Sequence, residues 1–225
     1  MKFAFNYIWY ELNQAFINEK KVLNYVIVYV LFIIIFALAL KQSSLILSEH
    51  VAIIIWLTLL TNIIIVSTTL FQDNQQKRVF KMFFLINNKP FSLLVFYKCV
   101  SYWIQLLVAL LLLLPLIQLL VPGITLSKYA LAFSLSVPSL TTLAILCSAL
   151  ANSSTNKGGL LSLLFLPLSL PITLFSISLT QLNLPLGALI YTPECKILLA
   201  FLLFSSFLGP YALSKILKQD FLYNS

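Results

Sequence analysis

Six stretches of this chain contain no Asp, Glu, Lys or Arg: residues 22–40, 51–72, 99–127, 129–156, 158–193 and 197–214. The shortest is 18 residues long and the longest 36. A helix needs about 20 apolar residues to cross a hydrocarbon layer about 30 Å thick, so each stretch is long enough for one crossing. Only 9% of the residues are charged and 61% are hydrophobic, against about 25% charged in an ordinary soluble domain. No soluble core of 225 residues hides that much apolar surface. The expectation is an all-α integral membrane protein with six transmembrane helices, forming a single domain over 1–225. The 36-residue window is too short for two crossings and a turn, and Asn183, Pro185, Gly187 and Pro193 interrupt its second half. It reads as one span followed by a non-spanning or re-entrant segment before helix 6.

The basic residues give the orientation. With six spans, eleven of the fourteen Lys and Arg fall on one side, among them Lys20, Lys21, Lys77, Arg78, Lys81, Lys98, Lys157 and Lys215. Only Lys41, Lys128 and Lys196 fall on the other. The positive-inside bias places both termini in the cytoplasm. The net charge of +8 is spread between apolar runs rather than gathered in one patch, which argues against a nucleic-acid partner.

Residues 2–21 lack the short apolar core and small-residue cleavage site of a signal peptide. Phe5, Ile8, Trp9, Leu12, Ala15 and Phe16 instead make one apolar stripe at helical spacing. This fits an interfacial helix before the first span, or a helix packed on a partner protein.

Residues with obvious chemistry are scarce. No ionisable residue is expected in the middle of a span, which argues against an ion-coupled pump. His50, the single histidine, is expected beside Glu49 in the first outer loop, as a solvated residue or a haem ligand. No G-x-x-x-x-G-K-[ST] loop occurs, because Gly158 and Gly159 follow Lys157 instead of preceding a lysine. The chain is therefore expected not to be an enzyme, with any ATP hydrolysis on another subunit. Cys99 and Cys147 read as small apolar residues within spans, and Cys195 is expected to face outward. No metal-ligand spacing is present, and no cofactor is expected on this chain.

The segment between spans 2 and 3 is more informative. Phe80, Phe83 and Phe84 share a helical face, preceded by Asp73 and ended by Asn87-Asn88-Lys89-Pro90. An apolar face on a cytoplasmic helix fits a partner's groove or the lipid headgroups. A second motif begins at Lys157-Gly158-Gly159 and continues to Leu166-Pro167-Leu168-Ser169-Leu170-Pro171. Pro167 and Pro171 each remove a backbone donor, so the helix should kink there, either to transmit movement or as static packing. The glycine pair should let this span start close to another helix.

These features together resemble the haem exporter protein B family, the CcmB-type permeases of the ABC-2 exporter class in cytochrome c maturation. The K-G-G and L-P-L-S-L-P segments carry most of the likeness, together with Phe71-Gln72-Asp73, Val137-Pro138-Ser139-Leu140 and Leu208-Gly209-Pro210-Tyr211. Arg78 and Lys81 depart from the family's glycine and acidic residue near the start of the cytoplasmic helix. The resemblance implies a transmembrane permease coupled through Asp73, Phe80, Phe83 and Phe84 to a cytoplasmic ABC ATPase that binds the ATP. It further implies a homodimer in the inner membrane, of bacteria or of mitochondria. Its partners would be a haem-handling membrane protein and a periplasmic haem chaperone, with haem as the pathway's substrate. The architecture is shared with exporters of lipid or polysaccharide, and a membrane scaffold without an ATPase is the other alternative.

Overall fold

The computed structural model describes residues 9, 12–13, 26–32, 34–35, 47–69, 91–120, 125–151, 157–182 and 184–223. Among them there are helices and no strands. The helices are α1 (Leu47–Thr69), α2 (Phe91–Leu120), α3 (Leu126–Ala151), α4 (Lys157–Gln181), α5 (Leu186–Leu189) and α6 (Pro193–Tyr223). Four of them contain apolar stretches long enough to cross a membrane: Val95–Pro115, Leu126–Ala151, Gly159–Gln181 and Pro193–Ile216. Inside α1 the apolar stretch Ala52–Ile65 is shorter. Residues 26–32 and 34–35, within the first charge-free window, are also helical. Of the N-terminal stripe only Trp9 and Leu12 are described, and both are helical.

Side-chain contacts give the direction of each helix. The Lys128 ammonium, at the start of α3, donates to the Leu182 carbonyl just past the end of α4, at 2.7 Å. At the opposite end of α3 the Ser148 hydroxyl donates to the Ser67 carbonyl near the end of α1, at 2.7 Å. Trp56 of α1 meets Phe133 of α3 edge-to-face, with ring centroids 5.1 Å apart. Thus α1 and α3 run parallel, and α4 runs against them. α6 is parallel to α3, since Gly209 lies beside Thr142 and Leu213 packs with Ile145 and Ala149. The helices form an up-and-down bundle.

α4 shows why such a sequence suits lipid. Its buried face carries Ser169, Thr173, Ser176 and Thr180, while Leu163, Leu166, Leu170 and Leu174 are exposed, Leu163 by 73%. The polar side is turned inward and the leucines outward, the reverse of a soluble helix. The hydroxyls do not go unpaired. Ser169 donates to Leu166, Thr173 to Ser169 and Leu170, and Ser176 to Ile172, all at 2.7–3.1 Å on their own helix. Small hydroxylated residues satisfied in this way let helices pack closely without leaving a donor in an apolar medium.

The second half of the longest charge-free window is broken, as expected. α4 ends at Gln181, and Lys128 bonds the Leu182 carbonyl just beyond it, where the helix dipole is negative. α5 is one turn of four residues, too short to cross a bilayer. It is held by Leu189, which is 0% exposed in the main core. Ile190 and Tyr191 then point outward, Tyr191 by 77%. Thr192 starts the next helix, its hydroxyl oxygen accepting the Cys195 N–H at 3.4 Å, with Pro193 at the first helical position.

Three expectations need correction. Cys195 does not face outward: it lies in the first turn of α6 and is 5% exposed, packed into the core. His50 is not in a loop but in the first turn of α1. Lys98 is not part of the loop before span 3 but sits inside α2, with only 8% of its surface exposed. Helices extend past the apolar windows into the interfaces, so a lysine there marks a depth rather than a loop.

A membrane-impermeant maleimide on intact cells should leave Cys195 unlabelled and label a Tyr191→Cys variant. Modification of Cys195 at the Tyr191→Cys rate would contradict this packing, and a silent Tyr191→Cys would contradict the orientation.

Candidate functional site

The Phe80, Phe83 and Phe84 face and Asp73 lie outside the described residues. The K-G-G motif opens α4, and Pro167 and Pro171 stand within that helix, which remains continuous over Lys157–Gln181. Pro167 is on the exposed face among the leucines, and Pro171 is half-buried. Each still removes one backbone donor from the helix. Gly159 is exposed.

A close approach of two helices occurs at Gly209. A Cβ built at Gly209 would collide with the Thr142 methyl and lie 3.5 Å from the Thr142 Cβ. Glycine here serves proximity: α6 rests its backbone on an α3 side chain. Ser205, one turn earlier, is also buried, giving a small-x-x-x-small face against α3. Consistent with this, α3 is in extensive contact with α6, as it is with α4.

Thr142 is fixed from two other directions. Its hydroxyl donates to the Pro138 carbonyl at 2.7 Å and accepts the Trp103 indole N–H at 3.1 Å. Trp103 belongs to α2, so this one threonine ties three helices together. The structure thus unites two stretches quoted for the family resemblance, Val137-Pro138-Ser139-Leu140 and Leu208-Gly209-Pro210-Tyr211. It keeps Pro167 and Pro171 on a different helix.

Sequence reasoning missed the inner part of α2. Lys98, Ser101 and Gln105 recur at helical spacing and are all buried. The Ser101 hydroxyl donates to the Lys98 carbonyl at 2.8 Å, and Gln105 Oε1 has no hydrogen-bond partner. In the sequence Lys98 looked like the edge of a loop, and a glutamine among leucines carried no periodic signal. Among the described residues no three His, Cys, Asp or Glu side chains come together.

A family model described as CcmB protein matches residues 2–220. The chain belongs to the CcmB family. No individual curated protein matches it. Membership covers nearly the whole chain and makes it a multi-pass membrane protein, the permease component of a haem exporter system.

Proposed function

We propose that this chain is the permease of an ABC-type complex in cytochrome c maturation, with ATP hydrolysed on a separate cytoplasmic subunit. The observation that carries the reading is the CcmB family match over residues 2–220. In this reading the chain is not itself an enzyme and holds no resident cofactor. Six spans, with residues 22–40 and α1 as the first two, put both termini in the cytoplasm of a bacterial inner membrane or its organellar counterpart. Residues 182–192 then dip into the outer leaflet and return. Two copies pair with the ATPase and with a haem-handling membrane protein.

Its role is mechanical. Movement at the segment carrying Asp73, Phe80, Phe83 and Phe84 passes into the bundle and drives release of a haem-loaded periplasmic chaperone. The K-G-G and proline residues of α4 bear on the same movement, since each proline lowers the cost of bending. The apolar side chains of the spans offer haem iron no His ligand beyond His50, which supports coupling over ligation.

Deleting the gene should abolish mature c-type cytochromes, read by haem staining of membrane fractions, and leave total haem synthesis intact. Mild solubilisation of the tagged chain should bring down an ATPase subunit. Normal cytochromes in the deletion strain would overturn the pathway assignment, and recovery of the chain without an ATPase would favour a scaffold.

A further inference from the structure

The apolar core of the bundle is divided. Val95, Cys99 and Tyr102 of α2, Ile145 and Ala149 of α3 and Leu213 of α6 form a small cluster of their own. The main cluster, which takes in α1, α4 and α5, is separate from it. Trp103 packs at the edge of the small cluster, and through Thr142 it meets Gly209, so the three-helix junction borders the small cluster. Ala144, Cys147 and Ala151, on another face of α3, belong to the main one.

At this level both α3 and α6 lack a backbone hydrogen bond. Pro138, one turn before Thr142, has no N–H for the Ser134 carbonyl, and Pro210, next to Gly209, has none for that of Ser206. Helices bend most readily at such gaps. Two parallel helices in extensive contact, weakened at one depth, can bend together. α2 has no proline before Pro115 and stays stiff through the same depth.

We propose that the inner ends of α3 and α6 swing as one body on the Trp103–Thr142–Gly209 junction, with α2 as a rod tilting about Trp103. The device joins the start of α2, which follows the segment carrying the three phenylalanines, to the spans that reach the outer face. The swing belongs to the chain itself and does not depend on the ATPase reading.

Spin-label distances in the purified full-length chain, in lipid nanodiscs, test it. One pair is Leu160→Cys on α4 with Lys215→Cys on α6, both exposed and at the inner end. The control pair is Leu174→Cys with Leu199→Cys, on the same two helices but on the outer side of the junction, both exposed. The three native cysteines are replaced by alanine. The inner pair should give a broader distance distribution than the control, and Pro138→Ala with Pro210→Ala should narrow it to the control's width. Each single proline variant should narrow it in part, which carries the test if the double variant does not fold. An inner distribution no broader than the control, or one unchanged by the proline substitutions, would overturn the hinge. A hinge confirmed in a chain that recruits no ATPase would leave this inference standing and remove the proposed function alone.

Discussion

Gly209→Ala should be among the most damaging single-methyl additions anywhere in this chain, and Thr142→Ser in the same molecule should rescue it. The added Cβ falls on the Thr142 methyl. Thr142 cannot rotate away without losing its bonds to Pro138 and Trp103. Forcing an extra methyl into a packed contact costs about 1–3 kcal/mol, and more where the neighbour is pinned. In a chain of this size that corresponds to a fall of roughly 2–4 °C in Tm for each kcal/mol. Serine at 142 removes the obstructing methyl and keeps the hydroxyl, at a cost of about 1 kcal/mol for the lost methyl. The measurement is thermal unfolding in detergent of the four chains of the cycle. The double variant should be more stable than Gly209→Ala alone. Additive losses would mean that the two residues do not touch.

The second large effect is expected at the segment between α1 and α2. Replacing Phe80 and Phe83 by Asp should leave the chain inserted, because these residues lie outside the charge-free stretches. It should nevertheless lose the ATPase. Burying two unpaired carboxylates in an apolar groove costs several kcal/mol, and about 3 kcal/mol already weakens binding more than a hundredfold. A strain whose only copy is the double variant should accumulate haem on the periplasmic chaperone and lack mature c-type cytochromes. Co-purification of the ATPase separates a docking defect from a folding defect. Normal cytochrome levels would show that this face does not couple to the ATPase, whatever the family membership implies.

The spans were legible where charge was absent. Window 197–214 falls within one long helix, and the described parts of 129–156 lie on α3. Those of 99–127 lie on α2 and at the first residues of α3, and 158–193 divides between Gln181 and Leu186 into α4 and α5. Absence of charge marks the hydrocarbon layer directly, because burying an ion there is costly. The ends were less legible, since the helices run on into the interface. α2 begins at Phe91, and Lys98 lies buried within it, because a long aliphatic stem lets a lysine enter an apolar site. The junction at Thr142 left still less trace. Trp103 and Thr142 are 39 residues apart, and neither stands out among its neighbours. Gly209-Pro210 carried only a weak signal in the sequence, and the residue it leans on could be found only once the helices were packed. Cys195 misled for a related reason: a place near a helix end says nothing about which way the first turn faces.

The broken segment bears on how the chain enters the membrane in the first place. Between residues 158 and 193 there is no charge to halt translocation or to tell one crossing from the next. α4 and α6 nevertheless run in opposite directions, joined by a stretch rich in leucine that by hydropathy alone belongs in the lipid. The reversal is therefore written in backbone chemistry: Pro185 denies a donor, Leu189 anchors the turn, and Thr192 with Pro193 starts the return. During synthesis this segment offers the insertion machinery a hairpin whose fold-back point is set by conformation rather than electrostatics. A nascent chain that elongated through Pro185 would carry everything after it to the wrong side of the bilayer.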